Sequence, residues 1–345
     1  MANNAGPRKI LLVKTSSLGD VVHNLPVATA LHSRFPAAQI AWVVEEAFAD
    51  IPRLHPAVGR IIPVALRRWR RRLFAAATWR EMAAFRRELR RDSYDLVLDT
   101  QGLFKSALIA RQARLTPTGE RVGYAAEAAR EPLAARCYDR GIAIPRNIHA
   151  VDRNLWLAAA ACGLEPDTAF DYGICAKALL AEWLPPGPYA LLFTASSRDD
   201  KSWPEASWLA LAASLAASGL RLVLPAGTAA ERRQAARLAS AMGSRAMAAP
   251  LLTLSEIAGL CAGARLVVGV DTGLTHLATA LGRPTLCLFA GSEPALTGVH
   301  GAVPAGAATG TQAPQLARNL GSQGRPPTAR DACALAAELL AGSAA

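Results

Sequence analysis

Paired cysteines, paired histidines and long apolar runs are all missing from this 345-residue chain. Six cysteines (Cys137, Cys162, Cys175, Cys261, Cys287, Cys333) are scattered without a CxxC pair, several of them in apolar stretches such as AAACGL and TLCLF. They read as reduced thiols used for packing. The six histidines form no HxxxH or HExxH spacing, so the sequence offers no site for a protein-held metal, and no cofactor is expected. No apolar run reaches the ~18 residues of a membrane-crossing helix, and the opening MANNAGPRKILLV lacks the long apolar core of a signal peptide. The chain is therefore expected in the cytoplasm. Aromatic residues make up only 6% of it, and nearly all of its 38 basic residues are arginine.

The hydrophobic fraction of 52%, against 19% charged, fits a folded protein built on alanine-rich helices. A net charge of +11 favours an anionic partner, whether nucleic acid, a phosphorylated substrate or a membrane surface. Scarce aromatics weaken the nucleic-acid case, because single strands are held largely by stacking.

The length calls for two domains of about 150 residues each. Strand-like runs at 10–13, 40–44, 60–64 and 95–99 alternate with helical stretches, and a second series follows at 189–194, 220–224, 245–248, 266–270 and 285–289. This is the βα repeat of an α/β fold with parallel sheets. LPPGP at 184–188 reads as the linker, giving domains 1–183 and 184–345. The halves open alike, LLVKTSSLGD against LLFTASSRDD, which suggests two related Rossmann-like domains. Residues 301–327 read as irregular chain, and a helix is expected over 328–340.

Two strand-to-helix junctions carry the chemistry. In VKTSSLGDVVHNLP, Asp20 stands where a helix begins near Val21. It serves either as a helix cap or as a general base that takes the proton of an acceptor hydroxyl while a glycosidic bond breaks. In VDTGLTHLATALGRP, small residues and a helix start gather Asp271, Thr272, Gly273, Thr275 and His276 into a cradle suited to a diphosphate. A structural cap would explain Asp271 and Gly273 but not the other three together, although His276 alone could be a core histidine. Lys201, in SSRDDKSWP, is placed to neutralise a leaving phosphate or is an ordinary loop lysine. Glu231 could hydrogen-bond a ribose or lie on a helix surface. The run Arg67, Arg68, Trp69, Arg70, Arg71, Arg72 has almost no acid nearby in sequence. It suits phosphates or an anionic lipid surface, with Trp69 at headgroup level, against the alternative of a solvated face.

KTSSLGDVVHNLP, WVVEEAF, IPVALRRWRR, DTQGLFKSA, AREPLA, SSRDDKSWP and VDTGLTHLATALGRP, in that order over most of the chain, resemble the lipopolysaccharide heptosyltransferases of glycosyltransferase family 9. RRWRRR and AREPLA incline the resemblance toward those that add the first heptose rather than a later one. It implies a GT-B fold, two Rossmann-like domains with the active site in the cleft between them. It also implies metal-independent, inverting transfer from an ADP-heptose donor to Kdo-lipid A, at the inner face of the bacterial inner membrane. Asp20 and Lys201 are then the catalytic residues. Ser196, Ser197, Lys201, Glu231, Asp271, Thr272, Gly273 and His276 become donor-site residues. Ser17, Gly19, Arg67, Arg68, Arg70, Arg71, Lys105 and Arg130 become acceptor-site residues. The donor loop carries serines where the family often has threonines, and 301–323 has no counterpart. A non-catalytic anion-binding protein would share the junctions but have no need of Asp20.

Overall fold

Cβ-branched and leucine-rich runs lie between polar junctions, and in the computed structural model, which describes residues 6–166, 169–184, 186–196, 198–301 and 316–342, those runs are buried parallel strands. The chain divides into two units, Met1–Ile174 and Cys175–Ala345. The first unit holds Lys9–Val13 (β1), Gln39–Glu45 (β2), Val58–Val64 (β3), Ser93–Asp99 (β4), Arg114–Tyr124 (β5) and Arg140–Ile142 (β6). They form one sheet in the order β3-β2-β1-β4-β5-β6, every pair parallel. Helices cover both faces of such a sheet, and Ile10 through Val13 of β1 are accordingly fully buried.

The second unit repeats the plan. Tyr189–Phe193 (β7), Arg221–Leu224 (β8), Ala246–Ala248 (β9), Leu266–Val270 (β10), Thr285–Phe289 (β11) and Ala317–Gly321 (β12) are ordered β12-β11-β10-β7-β8-β9, again all parallel. Read from the other edge, this is the strand order of the first unit and of the Rossmann fold. LLVKTSSLGD and LLFTASSRDD therefore belong to β1 and β7, the matching central strands. In each sheet the order reverses between its first and fourth strands, β1 and β4 in one unit, β7 and β10 in the other. In open α/β sheets ligands bind at such a reversal, beyond the carboxyl ends of the strands.

Several expectations change. Leu179 N–H donates to Gly259 O at 3.0 Å, and a Cβ on Gly259 would come 2.9 Å from Lys177 O. The 177–179 segment thus already packs on the second unit, and LPPGP lies inside that unit. Strands β5 and β6 carry no apolar run: only the last three residues of β5 are buried, and β6 has three residues. Ala317–Gly321, expected as irregular chain, pairs with β11 as a half-buried edge strand, while 302–315 lies outside the described residues. The terminal helix spans Ala329–Gly342 and packs Ala332, Ala336 and Leu339 into the second core beside Trp203 and Trp208. Those two indoles meet edge to face at 4.9 Å. Cys175 is exposed and so is no packing residue.

Candidate active site

The first junction begins where β1 stops. The apolar run ends at Val13, and Lys14-Thr15-Ser16-Ser17 leads into the short helix Leu18–Val22. The helix starts three residues earlier than the sequence suggests, with Ser17 as its cap and Asp20 in its first turn. Asp20 Oδ2 accepts Ser17 N–H at 2.7 Å and Ser17 Oγ–H at 2.9 Å, the reciprocal half of a capping box. Both bonds fall on Oδ2, so Oδ1 is left to accept a proton from outside. Cap and base are therefore compatible roles on different oxygens. Arg130 Nη1 lies 4.0 Å from Asp20 Oδ2, and Lys105 Nζ donates to Ser16 Oγ at 3.3 Å. The fold thus gathers Ser17, Gly19, Asp20, Lys105 and Arg130 beyond the ends of β1 and β4.

Beneath them lies a polar layer that motif reading missed. Lys14, 6% exposed, donates to Thr100 O at 2.7 Å and to Asn154 Oδ1 at 3.3 Å. Burial lowers its ammonium to about 8, against the opposing attraction of Asp20 and Asp99. Asp99 is wholly buried and accepts Gln101 N–H and Tyr138 Oη–H, each at 2.8 Å, yet burial still raises its carboxyl. Gln101 Oε1 accepts both the N–H and the hydroxyl of Thr15, at 2.6 and 2.8 Å, while its buried Nε2 has no hydrogen-bond partner among the described residues. A buried donor left unpaired costs ~1–3 kcal/mol, which a ligand oxygen at this junction would relieve. The signal in the sequence was the placement of VKT and DTQ directly after apolar strands.

The arginine run forms the helix Leu66–Arg71 after β3. Trp69 is buried, donates its indole N–H to Glu81 Oε2 at 2.8 Å and packs edge-on against Phe85. It cannot sit at headgroup level. Arg68 grips Glu46 through two bonds of 3.0 Å and Glu81 at 2.6 Å, acids distant in sequence but adjacent in space. Arg67 stands over the Phe48 ring at 4.9 Å. Arg70 and Arg71 are exposed, with no ion pair among the described residues.

In the second unit, the loop after β7 places Ser196 Oγ as acceptor of Arg198 N–H at 3.3 Å and puts Lys201 on a short turn. Ser197 lies outside the described residues. Lys201 Nζ reaches Asp271 Oδ2 at 2.5 Å, joining the loop after β7 to the end of β10. Ser292 Oγ donates to the same oxygen at 2.5 Å, and His276 Nε2 lies 3.3 Å from Oδ1. Thr272 caps the helix Gly273–Ala280 by accepting Leu274 N–H, and Thr275 Oγ donates to Val270 O at 2.8 Å. Thr272, Thr275 and His276 thus each have an intramolecular partner, contrary to the expectation that a structural reading has no use for them. Glu231 also closes a capping box: its Oε2 accepts Gly227 N–H and Thr228 N–H at 3.1 and 2.8 Å. No group of three or more His, Cys, Asp or Glu among the described residues could hold a metal ion.

Burial favours protonation of Asp271, but the bonds from His276, Lys201 and Ser292 outweigh it and hold the carboxyl well below the usual carboxylate range. A depressed folded-state pKa contributes stability in full above the unfolded value, near pH 4, and that stability is lost as pH falls further. Asp271→Asn should therefore flatten the acid limb of the unfolding midpoint below about pH 4. An unchanged limb in thermal melts from pH 2 to 6 would show that the cluster contributes nothing to folding.

The profile of glycosyltransferase family 9 (heptosyltransferase) matches residues 82–317. The lipopolysaccharide heptosyltransferase 1 of Pseudomonas aeruginosa is 45% identical over 294 residues, 85% of this chain and 81% of that protein. Its Escherichia coli K12 counterpart is 43% identical over 85% of this chain and 91% of its own length. The solved E. coli heptosyltransferase WaaC with ADP superposes with a TM-score of 0.83 and 39% identity, over 96% of this chain and 99% of that one. Two Rossmann-like units of this kind are the GT-B fold, and the chain belongs to glycosyltransferase family 9, the heptosyltransferases.

Proposed function

We propose that the chain transfers an L-glycero-D-manno-heptosyl group from ADP-heptose to the Kdo region of Kdo-lipid A, with inversion and without a metal ion. The acceptor hydroxyl oxygen bonds to the anomeric carbon as the bond from that carbon to the diphosphate breaks. The hydroxyl proton passes to Asp20, and the electron pair leaves with ADP. Asp20 supports this reading best: Ser17 and the nearby Arg130 both address Oδ2, which leaves Oδ1 for the acceptor proton, and Lys105 is held next to the cap by Ser16. A protein that only bound anions would use this carboxylate for the helix cap alone, a role that Asn fills as well. Lys201 is assigned to the charge that develops on the leaving diphosphate, which a buried cation stabilises more strongly than water does. Ser196, Ser197, Asp271, Thr272, Gly273 and His276 are assigned to the same donor, and Glu231 to its ribose through the carboxylate oxygen that the cap leaves open.

The family relationship supports heptosyl transfer in lipopolysaccharide core assembly, and the relatives named heptosyltransferase 1 favour the first-heptose acceptor over a later one. No helix among the described residues is long and apolar enough to cross a membrane, which fits peripheral attachment at the inner face of the inner membrane, where a lipid-borne acceptor would be met. The test is product formation with ADP-heptose and Kdo-lipid A, with and without a chelator. A product only with an already heptosylated acceptor would move the chain to a later step, and no product with either would leave it an anion-binding protein.

Arg67, Arg70 and Arg71 are assigned to acceptor phosphates. Arg68 is already engaged by Glu46 and Glu81 and contributes less. Replacing Arg67, Arg70 and Arg71 by Gln should raise KM about tenfold for a phosphorylated, delipidated acceptor and leave the donor KM unchanged. Unaltered acceptor saturation would mark these residues as a solvated face.

A further inference from the structure

The turn between the helices Leu66–Arg71 and Ala76–Leu89 belongs to neither junction. Its Phe74 is 103% exposed, Leu73 47% and the following Trp79 60%. Lone exposed hydrophobics are common, but three large ones within seven residues form a patch. The patch is held in place: Trp79 donates its indole N–H to Leu73 O at 2.9 Å, and Thr78 Oγ donates to Arg72 O at 2.8 Å.

Arg70, Arg71, Arg72 and Arg80 flank this tip, all exposed and without an ion pair among the described residues. The nearby acids are engaged elsewhere, Glu81 with Arg68 and Trp69, Glu88 with Arg60 and Arg91. Arg86, Arg87 and Arg90 extend the basic face along the second helix, around a depression at Ala83. A polyanion such as nucleic acid would satisfy the guanidinium groups and leave Leu73 and Phe74 in water. An apolar protein groove would satisfy the tip and bury unpaired charge. Only a surface with anionic phosphates above hydrocarbon matches both.

We propose that residues 72–80 form a wedge that docks the protein on an anionic lipid bilayer. Leu73 and Phe74 enter the boundary between headgroups and acyl chains, Trp79 lies at headgroup level, and Arg72 and Arg80 bind lipid phosphates. The wedge rests on the reading that the acceptor is lipid-borne, and it assigns the membrane contact to residues outside the reaction site.

The experiment is co-sedimentation with vesicles of phosphatidylethanolamine and phosphatidylglycerol, with pure phosphatidylcholine as control. It compares the full chain with Leu73→Ser/Phe74→Ser and with Phe74→Ser alone. The intact protein should bind the anionic vesicles, more weakly as salt rises, and the double variant should bind about tenfold less tightly or worse at the same salt. Both variants should keep the melting temperature and turnover on a soluble, delipidated acceptor. Phe74→Ser guards against misfolding, since a ring wholly in solvent supports no core. Equal vesicle binding by intact and variant proteins overturns the wedge. So does a dimer that the double variant loses without any vesicle binding, or a matching loss of turnover on the soluble acceptor. The vesicles carry no acceptor, so binding tests the wedge alone and turnover of the intact protein tests the proposed reaction alone.

Discussion

Asp20→Asn is expected to lower turnover by about 10² or more while leaving the fold and the donor KM as they were. Asparagine keeps an oxygen that can accept Ser17 N–H and Oγ–H, so the capping box survives the substitution. What it loses is the capacity to take a proton. The comparison separates the two roles that geometry places on different oxygens of one carboxylate: a group serving only the cap predicts near-normal turnover and an unchanged melting temperature. Asp20→Ala removes both roles, and its additional loss of stability, read by thermal melt, measures the cap alone. Single-turnover measurements with saturating donor and acceptor would place the defect in the chemical step. Near-normal single-turnover rates in Asp20→Asn would remove the residue from the proton transfer.

How much of this was readable in the chain depends on how each residue's job is expressed in sequence. The central strands β1, β2, β7, β10 and β11 are buried on both faces and so appear as unbroken apolar runs. The edge strands β6 and β12 are short and half-exposed, and nothing in RGI or ARNLG sets them apart from loop. The junction motifs were legible because polar residues follow directly on those runs. Their internal bonding was not. Nothing in a linear reading says that Asp271 gathers Lys201 and Ser292, since their separations of 70 and 21 residues are closed only by the order of the strands, whereas His276 is five residues away on the helix that follows. Trp69 misled for the same reason. The residues on either side of it, Arg67, Arg68, Arg70 and Arg71, are all basic, and the acid and the ring that bury it, Glu81 and Phe85, arrive from the next helix.

Lys201→Ala is expected to raise the donor KM about tenfold and to lower kcat by roughly 10², with the acceptor KM unchanged. The kcat effect follows if the ammonium meets charge that is larger on the departing diphosphate than on the bound donor, because only such a gain accelerates the reaction. Lys201 also has a structural partner. It is 18% exposed and Asp271 8%, and removing one member of a buried pair costs on the order of 3 kcal/mol. Ser292 and His276 remain on the carboxylate and soften that loss. A fall in activity could then come from an unpaired Asp271 distorting the crevice. The double variant Lys201→Ala/Asp271→Asn separates the two causes, because a neutral amide no longer needs a cation. Its melting temperature should recover toward that of the intact protein. If Lys201 acts on the donor, donor use in the double variant stays low despite the recovered fold. Recovery of donor KM and kcat together with stability would reduce Lys201 to a counter-ion for Asp271 and end its assignment to the leaving group.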